Sequence, residues 1–394
     1  MIHGIRSRAS GGITRRRALA APATGALCGI AVLAIALSGG SASASGLGRH
    51  HEGTTYAQTS VIRIPTPAGT PLFADIEYGD QRTHHVYLSD LANSSLDIID
   101  GRSLKLLAQV PGFSGGPGGV AADDLGQIWA GDGSGAVKVV SATAPYRIVD
   151  SVPVGAPTAD EIGYDPVDRI IAVTSPDATS ATGAATPWVT LIDARPGADG
   201  KHHVLGHVVI PGAGADSIEQ PQWDPATRTF VESIRTTNDL PDGAVARIDP
   251  RRVRLEALLP IDETCHPGGL AVGPHGRLLL GCNDGAPLLV DSATGRILAN
   301  YAGHDAGGAD EVWYNRADGR FYAAEAGAAG PPPLPQLSPP AVMVIDAKSG
   351  RFVTDIELGD AALGFHQVTA IGDPARVFVP ESDGVHVFTP VERR

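Results

Sequence analysis

The sequence predicts an all-β protein, a seven-bladed β-propeller with four-stranded blades. Three observations carry that prediction. A short segment recurs seven times at blade-length spacing, a second set of turn residues recurs inside each unit, and helical periodicity is absent beyond the N-terminal leader. In each repeat a polar or Gly pair opens a short apolar alternation, with a turn residue five positions on. The first four read Asp75-Ile-Glu-Tyr-Gly-Asp80, Gly118-Gly-Val-Ala-Ala-Asp123, Asp160-Glu-Ile-Gly-Tyr-Asp165 and Glu219-Gln-Pro-Gln-Trp-Asp224. The remaining three are Gly268-Gly-Leu-Ala-Val-Gly273, Asp310-Glu-Val-Trp-Tyr-Asn315 and His366-Gln-Val-Thr-Ala-Ile371. Successive starts lie 43, 42, 59, 49, 42 and 56 residues apart. The short spacings match one four-stranded blade, and the long ones are blades with inserted loops.

Each unit continues the same way. Turns such as Asp165-Pro166, Asp224-Pro225 and Ala317-Asp318-Gly319 lead to second strands at His85–Leu88, Ile128–Ala130, Ile170–Val173, Phe230–Ser233, Leu278–Leu280, Phe321–Ala324 and Val377–Val379. Third strands end in an Ile/Val-Asp turn, at Ile99-Asp100, Ile192-Asp193, Ile248-Asp249, Val290-Asp291 and Ile345-Asp346. A fourth strand follows, as at Val353–Leu358. Asp, Gly and Pro serve the backbone at such points, through Asx hydrogen bonds, positive φ and fixed φ, so the recurring aspartates are structural. The seventh unit has three strands. The segment Ser60–Pro65 supplies the missing fourth and removes the open edge of the ring.

Residues 1–44 form an export leader. Arg6, Arg8, Arg15, Arg16 and Arg17 precede an apolar run from Ala18 to Leu37, and Ala42-Ser43-Ala44 is an A-x-A cleavage site. Thr14-Arg15-Arg16-Arg17-Ala18-Leu19 is similar to a twin-arginine signal. An uncleaved anchor is the alternative, because about 20 apolar residues span a bilayer. A linker is expected over 45–59 and the propeller over 60–394. Cleavage removes five of the 30 basic residues and none of the 43 acids, so the remainder carries about −18. An acidic surface repels phosphate and anionic lipid, which argues against nucleic-acid and membrane partners. The expected protein is monomeric and extracellular, periplasmic or in the cell envelope.

The chain resembles the YVTN-type propellers over about residues 60–390, on turn motifs that imply a fold rather than an activity. Glu219-Gln220-Pro221-Gln222-Trp223-Asp224 is also similar to the Glu-Gly-Pro-x-Trp segment of gluconolactonase-type propellers, with Gln220 in place of the glycine. That resemblance implies a divalent metal on Glu219. The partner Asn positions of that family are not recognisable here.

Propeller topology places the opening residues on the face where second strands end. The loops Ser175–Thr186, Thr236–Gly243 and Gly327–Pro340 emerge on that same face. Asp75, Asp160, Glu161, Glu219, Gln220, Asp310, Glu311, His366 and Gln367 therefore ring the channel mouth, with His266 just ahead of the fifth inner strand. Crowded carboxylates raise one another's pKa or recruit a cation. Oxygen ligands with imidazole suit Ca²⁺, Mg²⁺, Mn²⁺ or Zn²⁺, the candidate ligands being Glu219, Asp310 and Glu311. Strand alternation lets one residue of each pair face the channel. Solvated, strand-capping rim residues are the plainer reading of the same set. Pro221 suits an innermost strand, whose channel edge needs no donor.

Cys265 and Cys282 flank one hairpin, and in an oxidising compartment they read as a disulfide. A thiolate metal site with His266 is the alternative. Gly112-Phe113-Ser114-Gly115-Gly116 fits a nucleophile elbow but lacks a following helix. Asn93-Ser94-Ser95 is a sequon only in a glycosylating source, Pro331–Pro335 reads as a stiff loop, and the pairs His50-His51, His84-His85 and His202-His203 as surface residues. Two functions compete: a module binding an unknown protein or small molecule through the channel face, without a cofactor, and a metal-dependent hydrolase or lactonase. In the second, His266 or His366 is the general base or a ligand. A redox accessory role lacks any haem or cofactor motif.

Overall fold

The computed structural model describes residues 54–304, 307–327, 339–359 and 366–391. The leader, His50-His51 and Pro331–Pro335 lie outside the described residues. Among the described residues twenty-eight strands form seven antiparallel four-stranded sheets. Strand β1 spans Thr55–Ile62, so it overlaps the expected linker. The first blade is β2 (Ala74–Gly79), β3 (His85–Asp90), β4 (Ser95–Asp100) and β5 (Lys105–Pro111); the second is β6 (Pro117–Ala122), β7 (Gln127–Asp132), β8 (Ala136–Ser141) and β9 (Ile148–Pro153). The third holds β10 (Ile162–Asp165), β11 (Ile170–Ser175), β12 (Trp188–Asp193) and β13 (Val204–Val209), and the fourth β14 (Ile218–Asp224), β15 (Thr229–Ile234), β16 (Ala244–Asp249) and β17 (Arg254–Pro260). The fifth holds β18 (Pro267–Val272), β19 (Arg277–Cys282), β20 (Leu288–Asp291) and β21 (Ile297–Asn300), and the sixth β22 (Ala309–Asn315), β23 (Arg320–Glu325), β24 (Ala341–Asp346) and β25 (Arg351–Glu357). The seventh joins β26 (Thr369–Ile371), β27 (Arg376–Glu381) and β28 (Gly384–Val391) to β1. Inner strands β2, β6, β10, β14, β18, β22 and β26 neighbour one another in sequence order, and β26 meets β2, closing the ring. Among the described residues no helix is long and apolar enough to cross a membrane.

The core is divided. Seven apolar clusters occupy the seven seams between adjacent blades, as where Trp129, Val137 and Val139 of the second meet Ile162, Ile171 and Val173 of the third. Second strands are covered on both faces and so read as apolar runs, while outer strands such as β5 and β9 alternate between exposed and buried. The recurring aspartates are the expected turn caps. Asp80, Asp165 and Asp224 accept backbone N–H bonds from residues two or three positions on, as do Asp100, Asp249 and Asp291.

The N-terminal strand closes the ring chemically as well as topologically. β1 runs antiparallel to β28, Thr55 opposite Val391 and Ile62 opposite Val385. Arg320 donates to the Tyr56 hydroxyl at 2.7 Å, and Tyr322, 3.1 Å from that hydroxyl, donates to Asp318 at 2.5 Å. This ties β1 to the sixth blade as well as the seventh.

One reading of an isolated residue changes. His202 is buried, not on the surface. Its ring lies edge-on to Trp129 with centroids 4.8 Å apart, and its Nδ1 sits 2.9 Å from Asp150. The pair bridges the second and third blades. Asn93 also has its amide engaged, donating to the carbonyl of Pro65 at 2.9 Å. The Gly112–Gly116 segment leads into strand β6 and not a helix, as the discounted elbow requires.

Candidate functional site

The opening pairs sit where the inner strands break register. Between Ala74 and Glu77, Pro117 and Val120, Ile218 and Pro221, Pro267 and Leu270, and Ala309 and Val312, three steps along the inner strand match two on its neighbour. Each break is a β-bulge with one extra residue, and the extra residue belongs to the opening pair. A bulge bends the strand and re-aims its side chains.

The two members of a pair play different parts. Gln220 and Gln367 are buried and join blades: Gln220 Oε1 accepts from the Leu270 amide at 2.7 Å, and Gln367 Nε2 donates to the Ala74 carbonyl at 3.2 Å. Ser89 and Ser233, at the ends of second strands, donate to the carbonyls of Gly118 and Gly268 in the following blades. The first members stay open to solvent, with about a third of the Asp75 and Asp310 side chains exposed and less of Glu219 and His366. Glycine at 118 and 268 leaves room for a neighbour's carboxylate, since a Cβ at Gly268 would lie 2.3 Å from Asp310 Oδ1.

Carboxylates dominate the mouth. Glu161 and Glu311 come from blades three and six, yet the Glu311 charge is the strongest charge influence on Glu161. Burial, then the Glu311 charge, holds the Glu161 carboxyl well above its ordinary range; burial, then Asp310 and Glu219, does the same to Glu311. The Glu311 charge thus acts on Glu161 although two blades lie between them. Burial followed by the Asp75 and Asp177 charges pushes Asp160 up to about 7. Burial pushes Glu219 up to about 8 despite the opposing Arg235. Thus both carboxyls of the Asp160-Glu161 and Asp310-Glu311 pairs enter one electrostatic cluster.

One guanidinium stands among them. Arg235, the residue after β15, lies 3.1 Å from Glu219 and 3.4 Å from Asp310. Asn283, the residue after β19, completes the arrangement: with its amide donating to Asp310 Oδ1 at 3.1 Å, its oxygen accepts from Arg235 at 3.1 and 3.2 Å. Arg235, Asn283, Asp177 and Asp216 were not read from the sequence. They follow second strands or lie in connecting loops, outside the opening pairs; the shared face of second-strand ends is the signal that points to Arg235 and Asn283.

The two histidines differ. His366 Nε2 is 3.7 Å from Asp75, at the mouth. His266 sits in the loop before β18 with φ of +47°, its Nδ1 2.8 Å from Asp284 and its Nε2 2.8 Å from the Pro241 carbonyl. Both its nitrogens face oxygen acceptors, so the ring pins its loop. The adjacent Cys265 is bonded to Cys282, with 4.6 Å between Cα atoms, as expected for an oxidised pair.

Glu219 and Asp310 share the Arg235 guanidinium. Among the described residues, the group that brings three ligand atoms within 4.8 Å of one another is Glu381, Asp383 and His386, in the β27–β28 hairpin. There the imidazole itself bridges the carboxylates, Nδ1 3.2 Å from Glu381 and Nε2 2.7 Å from Asp383. No protein-family model matches the sequence, and no curated protein matches it.

Proposed function

We propose that this chain is an exported propeller of the YVTN type that binds a ligand through its channel face. The observation that carries the reading is the convergence of opening residues from blades one, three, four, six and seven on one mouth, with a bulge at the openers of blades one, four and six. A bulge repeated in five blades costs ladder hydrogen bonds, and such features cluster where side chains must be re-aimed. Residues presented at loop ends on a rigid scaffold are the usual binding apparatus of such folds. Export is supported by the leader sequence and by a disulfide that an oxidising compartment maintains.

The metal-dependent hydrolase draws on the same carboxylates. It requires Arg235 to leave Glu219 and Asp310 before a metal ion can join them at the 2.3–2.6 Å typical of Ca²⁺–oxygen bonds. Binding requires no such rearrangement, and it is preferred for that reason. A thermal-shift screen with cationic, neutral and anionic small molecules and short peptides tests it. At least one class is expected to raise the unfolding temperature of the wild type and to lose most of that effect in Asp75→Asn and Asp310→Asn. Stabilisation that both variants retain places the ligand elsewhere. Metal-dependent turnover of a lactone, lost in Glu219→Gln, replaces binding by hydrolysis.

A further inference from the structure

Resting on the channel-face reading, we propose that the mouth is selective for an organic cation carrying more than one primary ammonium group. The charge balance is one-sided. The four strongest charge influences on Glu161 are all carboxylates from Glu311, Asp160, Asp75 and Glu219. The four strongest on Glu311 are likewise carboxylates. Arg235 pairs with Glu219 and Asp310 and its charge reaches Asp160, whereas the leading charge influences on Glu161 and Glu311 are all negative.

A second observation is independent of charge. Glu311 is 6% exposed, and its Oε2 atom is buried with no hydrogen-bond partner among the described residues. Buried polar atoms are normally satisfied, and each orphan costs about 1–3 kcal/mol. An ammonium group brings three donors for such an oxygen, and its binding releases the proton that the crowded carboxyls otherwise hold.

Spacing favours an organic cation over a metal ion. A metal draws its ligands into one compact shell, whereas the mouth carboxylates come from different blades and do not form a three-ligand group. Arg235 shows what the spacing accommodates: a planar organic cation reaching from Glu219 in the fourth blade to Asp310 in the sixth. A chain with ammonium groups several bonds apart spans carboxylates that one ion cannot.

Isothermal titration of the purified protein at 0.15 M salt with spermidine, 1,4-diaminobutane, n-butylamine and CaCl₂ tests the inference. The expected result is saturable 1:1 binding of spermidine, about tenfold or more tighter than n-butylamine, one ion pair's equivalent. Glu311→Gln and, as a more exposed and fold-neutral change, Asp75→Asn should each weaken it by about tenfold. Equal affinity for mono- and polyamines, or binding untouched by both variants, overturns the proposal. Calcium that binds more tightly and displaces spermidine overturns it in favour of a metal. If amines fail while a neutral or anionic compound stabilises the wild type through Asp75 and Asp310, the ligand class is wrong and the channel reading stands. If no compound acts through those residues, both fall.

Discussion

At the scale of single residues, the backbone sets most identities and the mouth sets the rest. His84, Arg169 and Arg228 adopt φ near +60° just before their second strands, where other blades carry Gly126, Gly276 and Gly319. An L-residue in the left-handed region costs roughly 1–2 kcal/mol, and glycine returns about 0.5–1 of that as chain entropy in the unfolded state. Arg228→Gly is therefore expected to stabilise the protein by about 0.5–1 kcal/mol, read from urea unfolding. A loss of stability would show that the Arg228 side chain contributes packing that outweighs the turn. The recurring aspartates were legible in the sequence because their role is local: each caps a turn made by residues beside it. Arg235 and Asn283 were not, because their partners are 75 and 27 residues away in sequence and meet them through the ring.

At the scale of elements, strand type followed from periodicity, whereas orientation at the mouth did not. The covered second strands appear as apolar runs, and the expected second strands fall inside β3, β7, β11, β15, β19, β23 and β27. The bulges at the opening pairs escaped notice because one inserted residue leaves no compositional trace beyond the pair itself. The fifth blade carries an additional constraint, the Cys265–Cys282 bond between the loop before β18 and the end of β19. Closing a loop of that size contributes ~3 kcal/mol in the chain-entropy account. Cys265→Ala with Cys282→Ala should lower the unfolding free energy by about that amount. Both residues are buried in the seam between blades four and five, so some of the loss is packing. An unchanged midpoint would mean that the neighbouring blades alone hold the hairpin.

For the whole molecule, the seven-blade ring explains both stability and site. Seven separate seam clusters hold the blades, and their inner strands deliver carboxyls from distant parts of the chain to one mouth. The fold was legible because its repeats are; the site was legible only as a set of openers, since its geometry depends on ring closure. Crowding there has a thermodynamic signature. The folded protein holds protons on Asp160 to about 7 and on Glu219 to about 8, and on Glu161 and Glu311 well above the ordinary range. An unfolded carboxyl releases its proton near pH 4. Between those limits the native state binds more protons than the unfolded one, so stability falls as pH rises from about 4 to about 8.

The most direct test of the coupled mouth is the unfolding free energy, measured in amine-free buffer from pH 4 to pH 8, for the wild type and for Glu161→Gln with Glu311→Gln. The account predicts a decline toward pH 8 in the wild type and a distinctly shallower one in the double variant, which should be the more stable protein at pH 8. Parallel profiles for the two proteins would contradict it, because the central carboxyls would then carry no shared protons.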